Sequence, residues 1–303
     1  MRISYSSFDT YNRCPLKYKL QYVDWVKVPL KAEFFFGSLI HEVIQHALRR
    51  DPIIPGFNEL IKFYESKWSE AAFADSLEVK QYFELGRSMI KSFHENYKPG
   101  LRKVAACEKR FQIPLGKHVL SGVIDRVDKL PYGAYELIDY KTGKTLPSQE
   151  EVDVDKQLGF YNLAATSLWP EISEIKLTLH YLKFNSFVST NRMPSEMEEI
   201  KKEIIKTADT IEKDKDYKPK KNQYCPWCEY RHLCPLQKDN LSKEEKFQQI
   251  GKEYLSHHEK LKDLEKQINN YFDENKLSEV SVNEYSIVRS KDRAISVAKV
   301  KLL

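Results

Sequence analysis

Two carboxylates and a lysine lie in a segment whose pattern is typical of a β-hairpin. Residues 119–140 form two apolar or alternating runs separated by Pro131-Tyr132-Gly133, a turn signature. If these three residues form the loop, Asp125 falls directly opposite Asp139, with the two Cβ atoms about 5 Å apart. Carboxylates at that separation repel each other unless a cation lies between them. Lys141 follows Asp139 by two residues and therefore projects from the same strand face. The pattern predicts a divalent-metal site beside an ammonium group, which suits metal-assisted activation of water.

The same register also allows a purely structural interpretation of the acidic residues. It places Asp128 opposite Glu136 on the other face of the hairpin, so an acidic pair alone does not identify a metal site. Asp125 is the stronger candidate because it lies in an otherwise apolar strand, where an unpaired charge would be costly. Glu108, in a predicted strand from Val104 to Ile113, could join such a site or form an ordinary surface salt bridge.

Four of the five cysteines could hold a metal ion or a cluster. An odd number of cysteines in a chain without a secretion signal does not favour a disulfide framework. Three are crowded into Cys225-Pro-Trp-Cys228-x5-Cys234, and Cys14 lies far upstream. Four thiolates can bind Zn²⁺ or a [4Fe–4S] cluster, and Cys-x2-Cys suits both. A zinc ribbon usually takes a second Cys-x2-Cys pair close by, whereas the fourth candidate here is a single distant cysteine. Cys107 is expected to be a small buried residue.

Composition limits the class of protein. The chain has 303 residues, of which 41% are hydrophobic and 12% aromatic, so it can bury a real core and wholesale disorder is excluded. No run of about 18 apolar residues predicts a membrane span, and the N-terminus lacks the apolar region of a signal peptide. A cytoplasmic location is therefore expected. The net charge of +5, with five lysines in the run from Lys213 to Lys221, is compatible with nucleic acid as a partner.

The apolar periodicity predicts an α/β fold, with a mixed central sheet flanked by helices. A helical insertion is expected at about residues 50–100, and a helix and a hairpin are expected after the last cysteine. We predict a first domain over residues 1–240 and a C-terminal extension over residues 241–303. The predicted elements are helices at 37–49, two within 57–98, 153–168, 195–212 and 242–275, with strands at 104–113, 119–130, 134–140 and 175–184 and a last hairpin within 279–300.

Four short motifs carry a resemblance to a known family. They resemble, in order, the successive motifs of RecB-like PD-(D/E)XK nucleases, whose core is the restriction-endonuclease-like fold. The cysteines extend the resemblance, because they are similar to the iron–sulfur staple of AddB-type and CRISPR-associated spacer-acquisition nucleases. The resemblance spans residues 4 to 235. The motifs are Gly37-Ser-x-x-His41, Gly122-Val-Ile-Asp125-Arg, Asp139-Tyr-Lys141 and Gln157-x-x-x-Tyr161, and the cysteine set begins with Cys14 in Ser-x-x-x-Tyr-x-x-Cys-Pro and continues with Cys225, Cys228 and Cys234.

The resemblance implies roles for these residues. Asp139 stands where glutamate is common in the family, which shortens the reach by one methylene. By themselves, His41 would be taken for a core histidine, and Gln157 and Tyr161 for packing residues. The family instead implies that Mg²⁺ or Mn²⁺ is bound by His41, Asp125, Asp139 and the Tyr140 carbonyl, and that Lys141 orients water and stabilises developing charge. It implies that the site is shaped, or DNA contacted, by Gln157, Tyr161, Lys144 and Lys156. It also implies that a [4Fe–4S] cluster is held by Cys14, Cys225, Cys228 and Cys234.

The function implied is a metal-dependent deoxyribonuclease, with exonuclease action in DNA repair, recombination or defence. DNA is the expected partner, and a helicase or a CRISPR adaptation protein is a further possibility that the sequence does not decide. One alternative is a non-catalytic DNA-binding scaffold subunit of a helicase–nuclease complex. A zinc-ribbon nucleic-acid-binding protein would explain the cysteines but not the carboxylate hairpin.

Overall fold

The computed structural model describes residues 1–97, 103–236, 243–282 and 285–299. It contains two compact units, Met1–Tyr230 and Arg231–Leu303. The domain boundary predicted near residue 240 lies outside the described residues.

The first unit is built on a six-stranded mixed sheet, as far as the chain is described. Strand β3 is central: it pairs antiparallel with β2 along one edge and with β4 along the other, beside a short parallel pairing with β1. Strand β4 then pairs parallel with β5, and β5 pairs antiparallel with β6. The strands are β1 Arg2–Ile3, β2 Lys103–Leu115, β3 His118–Lys129, β4 Ala134–Lys141, β5 Glu174–Tyr181 and β6 Ser186–Thr190.

Helices flank this sheet, as the fold prediction requires. Ser4 opens the first helix through a capping box with Ser7, and Pro15 starts the second. The helix predicted at 153–168 begins three residues later, at Lys156, because the Asp155 carboxylate accepts a hydrogen bond from Leu158 N and caps the helix there. A separate short helix, Gln149–Asp153, precedes it. The helices are α1 Tyr5–Arg13, α2 Pro15–Tyr18, α3 Ala32–Leu48, α4 Phe57–Lys67, α5 Ser76–Asn96, α6 Gln149–Asp153, α7 Lys156–Leu168 and α8 Pro194–Lys213.

Two apolar cores hold the helices to the sheet. One core contains side chains of α1, α7 and α8, and the other contains side chains of α3, α4 and α5. The predicted helical insertion at 50–100 corresponds to α4 and α5. Successive residues of β4 serve opposite cores, with Leu137 in the first and Ile138 in the second, because a strand alternates its faces. Strand β4 is thus fixed from both sides, which holds the residues at its C-terminal end in place.

The second unit contains one long helix and a small antiparallel sheet. Helix α9 spans Lys243–Asn275. The sheet has the strands β7 Glu279–Val282, β8 Tyr285–Arg289 and β9 Ile295–Lys299, so the predicted terminal hairpin has one strand more than expected. Phe272 of α9 is buried, with 1% of its surface exposed. Among the described residues, none of the helices has the length and apolar character that crossing a bilayer would require.

Candidate active site

The hairpin has the register that the three-residue loop predicts. Leu130 N donates to Ala134 O at 2.8 Å, and Asp128 pairs with Glu136. The last pair of the ladder is Arg126 with Ile138, so the next step in the same register places Asp125 opposite Asp139. Both candidate carboxylates therefore lie at the end of the β3–β4 ladder.

Asp139 is buried and only partly satisfied. Its Oδ1 accepts hydrogen bonds from Gln157 Nε2 at 2.8 Å and from Tyr161 OH at 3.0 Å. Its Oδ2 lies 2.7 Å from Lys141 Nζ, but the contact lacks hydrogen-bond geometry, and this oxygen has no hydrogen-bond partner among the described residues. Burial raises the pKa of Asp139, although the Lys141 charge opposes the shift. Asp139 Oδ2 therefore has an ion-pair partner and keeps lone pairs that could bind a divalent cation.

His41, on α3, faces two acceptors from the hairpin. Its Nε2 lies 2.9 Å from Tyr140 O and its Nδ1 lies 3.3 Å from Asp125 Oδ2. The same Asp125 oxygen accepts a hydrogen bond from Tyr140 N at 2.9 Å. Burial alone would lower the pKa of His41, but the hydrogen bond and charge of Asp125, with the charges of Asp139 and Glu108, raise it to about 9. The raised pKa favours the imidazolium form, whose two N–H groups can donate to Tyr140 O and to Asp125 Oδ2.

Glu108 completes a potential ligand group with His41 and Asp125. Ligand atoms of the three residues all lie within 4.8 Å of one another. Strand β2 pairs Cys107 with Arg126 and Lys109 with Ile124, which sets Glu108 opposite Asp125. Burial raises the pKa of Glu108, and the Asp125 charge adds to the shift. The sequence allows Glu108 to be either a site residue or part of a surface salt bridge, and the geometry supports its being a site residue.

Gln157, on α7, joins the lysine to the carboxylate. Its Oε1 accepts a hydrogen bond from Lys141 Nζ at 2.7 Å, while its Nε2 donates to Asp139 and to Tyr161 OH. Burial lowers the pKa of Lys141, but the interactions with Asp139, together with the charges of Asp155 and Asp125, outweigh burial, so the net shift is upward and the ammonium form is favoured. Gln157 and Tyr161 are therefore polar parts of the site and not packing residues alone.

These residues line an open cleft of about 720 Å³. Its polar donors are carboxylates, a carbonyl and one imidazole, a set that favours Mg²⁺ or Mn²⁺. Asp139 Oδ2 in the same cleft, paired with Lys141 Nζ and without a further hydrogen bond among the described residues, is one of these carboxylate oxygens. The lining includes His41, Glu108, Asp125, Asp139, Tyr140, Lys141, Gln157 and Tyr161.

The two basic residues predicted to contact DNA do not line this cleft. Lys144 is exposed, and its ammonium lies 5.3 Å from the centre of the Tyr82 ring. Lys156 forms an ion pair with Glu203 of α8 and lies over the Phe8 ring. Sequence proximity to the carboxylate motif therefore does not place either ammonium beside the candidate metal ligands.

A second acidic group in the first unit already has its own cations. His118, Asp209 and Glu212 have ligand atoms within 4.8 Å of one another. Lys117 Nζ lies 2.8 Å from Asp209 Oδ1 and 3.1 Å from Glu212 Oε2, and the Met1 amino group lies 2.8 Å from Glu212. This group is a neutralised ion-pair network rather than a metal candidate.

Three of the predicted cluster cysteines belong to the first unit, and Cys234 belongs to the second. Cys14 and Cys225 accept backbone hydrogen bonds, from Lys220 N at 3.5 Å and from Asn222 N at 3.3 Å. Burial raises the pKa of the Cys228 thiol. Asn222 also donates to Arg13 O at 3.0 Å, so the loop before Cys225 is tied to the segment that carries Cys14.

The remaining cysteine, Cys107, lies in β2. It is half-buried and packs against the core that contains α3, α4 and α5, where the sequence predicts a buried residue, and burial raises its pKa to about 11.

Comparison with known proteins identifies a family. Residues 2–235 match the family model of the PD-(D/E)XK nuclease superfamily. No curated protein matches the sequence. Similar solved structures include a candidate exonuclease from Eubacterium rectale, 11% identical with a TM-score of 0.46, which covers 80% of this chain and 88% of that chain. They also include SSO0001, 19% identical with a TM-score of 0.31, which covers 68% of this chain and 96% of its own. At these identities and scores the two structures carry no argument about activity.

Proposed function

The chain belongs to the PD-(D/E)XK nuclease superfamily, and we propose that it is a divalent-metal-dependent deoxyribonuclease. The family makes it a nuclease, a hydrolase of phosphodiester bonds. We propose further that the protein requires a divalent metal, prefers DNA and acts as an exonuclease.

One observation carries the metal requirement. Asp139 is 3% exposed, and its Oδ2 has no hydrogen-bond partner among the described residues, although its Oδ1 has two. The charge on Oδ2 is balanced by Lys141 Nζ at 2.7 Å, and its remaining lone pairs could bind a divalent cation. Asp125 and the Tyr140 carbonyl lie at the same end of the hairpin, so Mg²⁺ or Mn²⁺ would find oxygen ligands there.

The ligands that would hold the ion are His41, Asp125, Asp139 and the carbonyl of Tyr140, with Glu108 as a further candidate. His41 must then give up its proton, because only a neutral imidazole binds a metal. When bound, such an ion polarises a phosphate oxygen and lowers the pKa of bound water.

Lys141 supplies the charge that the reaction needs beside the ligands. Its ammonium lies at the cleft next to Asp139, where it can stabilise the negative charge that develops on the scissile phosphate. Gln157 holds that ammonium through its Oε1 and holds Asp139 through its Nε2. Tyr161 OH donates to the same Asp139 oxygen. Burial, and to a smaller extent the charge of Asp139, keeps the pKa of Tyr161 well above its usual value. Both residues thus position the lysine and the carboxylate relative to each other.

The assignment to RecB-like exonucleases rests on the order of the motifs. The histidine, the two aspartates with the lysine, and the glutamine–tyrosine pair occur in the order of RecB-like nucleases, and they meet in one cleft. We place the protein with the RecB-like exonucleases that act on DNA in repair, recombination or defence, in the cytoplasm. The complete set of charged site residues favours a catalytic protein over a scaffold subunit.

We also propose that Cys14, Cys225, Cys228 and Cys234 hold a [4Fe–4S] cluster. Backbone N–H groups directed at Cys14 and Cys225 sulfurs suit thiolate ligands of such a cluster. The role would be structural: the bound cluster would hold the N-terminal segment to the cysteine-rich one.

The experiment is a DNA-degradation assay on anaerobically purified protein with Mg²⁺ or Mn²⁺, with a chelator as the control. Labelled linear and circular substrates, single- and double-stranded, distinguish exonuclease from endonuclease action. We expect degradation of linear DNA that the chelator abolishes. The proposal fails if no DNA is degraded with either metal while the protein is folded and loaded with iron.

A further inference from the structure

Helix α9 carries an apolar seam that its own unit leaves exposed. Starting at Phe247, eight positions, nearly all with apolar or aromatic side chains, recur at alternating intervals of three and four residues along the helix. This is the a/d spacing of a heptad repeat, which keeps the positions on one face of a supercoiled helix. The eight positions are Phe247, Ile250, Tyr254, His257, Leu261, Leu264, Ile268 and Tyr271, and seven of them are apolar or aromatic.

The seam is open to solvent in the structure. Phe247 is 75% exposed, and Leu261 and Leu264 are 54% and 53% exposed. His257 is exposed and Ile268 is half-buried. Large apolar side chains aligned over so many turns are rare on a soluble surface and mark an interaction site.

The small sheet of the second unit uses a different face of α9. Phe272 is buried, and Arg289 of β8 contacts Asn269 O at 3.2 Å and Asp273 Oδ1 at 2.5 Å. In the heptad these positions are e, b and f, so they lie to one side of the a/d face. The sheet therefore secures the C-terminal end of the helix and leaves the seam uncovered.

We propose that this seam binds a second copy of the same chain as a parallel, in-register two-stranded coiled coil. In that arrangement each layer pairs a residue with its own copy, so apolar residues meet apolar residues and His257 meets His257. An antiparallel pairing centred on the same seam would instead set His257 against Leu261. A single polar core position that matches only itself is a known means of fixing register.

The flanking charges also favour the parallel arrangement. Lys260 occupies a g position and Glu265 the following e position, and both are described in the helix. In a parallel dimer, g contacts the next e of the other helix, so Lys260 of each copy meets Glu265 of the other. In an antiparallel dimer, Lys260 would meet Lys260. Self-complementarity in both the core and the flanks identifies a second copy, rather than an unrelated helix, as the occupant.

The test measures the mass of the full chain in solution by light scattering or sedimentation, with any cluster kept intact. The expected wild-type value is twice the chain mass of 35.7 kDa. Leu261→Glu with Leu264→Glu buries two charges per helix in the seam and should weaken dimerisation by at least about 100-fold. Leu255→Glu is the matched control, because Leu255 is 60% exposed on the same helix but occupies a b position. It should remain dimeric.

Orientation is tested by a charge exchange. Lys260→Glu alone should weaken the dimer, and adding Glu265→Lys should restore it, because the pair is then rebuilt with reversed signs. A monomeric wild-type protein overturns the proposal. So does a dimer that survives the double leucine variant with circular dichroism unchanged, or a charge exchange that fails to restore dimerisation.

Discussion

Glu108 lies directly opposite Asp125 across β2 and β3, and its backbone there has φ +48°. This left-handed conformation is uncommon for a residue with a long side chain and stores some strain. Ligand atoms of the two residues and of His41 all lie within 4.8 Å of one another. A strained acidic residue held against two candidate metal ligands is more easily explained by a role in the site than by a surface ion pair.

The first prediction is that Glu108→Gln weakens Mn²⁺ binding by at least about tenfold, because the neutral amide keeps the shape but loses the charge. Glu42→Gln is the matched control: Glu42 lines the same cleft but pairs with Lys67 at 3.0 Å, outside the ligand group. Titration calorimetry with Mn²⁺ measures both variants. Equal Mn²⁺ affinities in the two variants would show that Glu108 is not a metal ligand.

The second prediction concerns protons released on metal binding. Because the pKa of His41 is raised to about 9 in the metal-free protein, His41 is protonated at neutral pH and must lose its proton to bind the metal. Metal affinity should therefore rise with pH, by about tenfold per unit below about 9, and level off above that pH. The raised pKa of Asp139 acts in the same direction.

Calorimetry in buffers of different ionisation enthalpy counts the released protons. His41→Ala should lose most of the pH dependence. His46→Ala is the control, since His46 stacks on Phe63 at 4.1 Å and is not in the ligand group. A pH-independent affinity in the wild type would contradict the assignment of His41.

The third prediction separates positioning from metal binding. Gln157→Leu removes the link between Lys141 and Asp139, so kcat should fall by about 10- to 100-fold while Mn²⁺ affinity changes little. Gln149→Leu is the control, because the Gln149 side chain donates hydrogen bonds to Asp153 Oδ1 and Ser189 O and does not line the cleft. If Gln157→Leu loses activity only through lost metal binding, Gln157 supports the ligand and not the lysine.

The fourth prediction concerns the cysteines. Anaerobically purified protein should be brown and hold close to four irons per chain, as a [4Fe–4S] cluster requires. Cys14→Ser should lose most of this iron and some stability, whereas Cys107→Ser should keep its iron. A colourless protein with one zinc per chain would show that the cysteines hold a zinc ion instead.

Much of the hairpin could be predicted because a short loop fixes its register. Pro131, Tyr132 and Gly133 leave little choice, and Tyr132 with φ +60° shows how tightly the loop turns. From that register the opposition of Asp125 and Asp139 follows without further information. The alternation of a strand then places Lys141 beside Asp139.

Other features depend on contacts that are distant in the sequence. The place of Glu108 depends on how β2 pairs with β3, and a register shift between Val104 and Ala106 hides that pairing from the sequence pattern. Likewise, the pairing of Lys156 with Glu203 depends on where α8 packs against α7. Neither contact leaves a pattern in the neighbouring sequence, so periodicity and spacing cannot predict the position of Glu108 or the ion pair of Lys156 with Glu203.

The central claim is tested most directly by measuring metal binding and DNA cleavage in the same two variants. Asp139→Asn keeps the shape of the side chain but removes the charge, so it should lose both Mn²⁺ binding and cleavage. Lys141→Ala leaves the ligands in place, so it should bind Mn²⁺ at least as well as the wild type yet cleave at least about 100-fold more slowly. Both should still bind DNA. The account is contradicted if both variants degrade DNA in Mn²⁺ as fast as the wild type, because the carboxylate hairpin would then be structural.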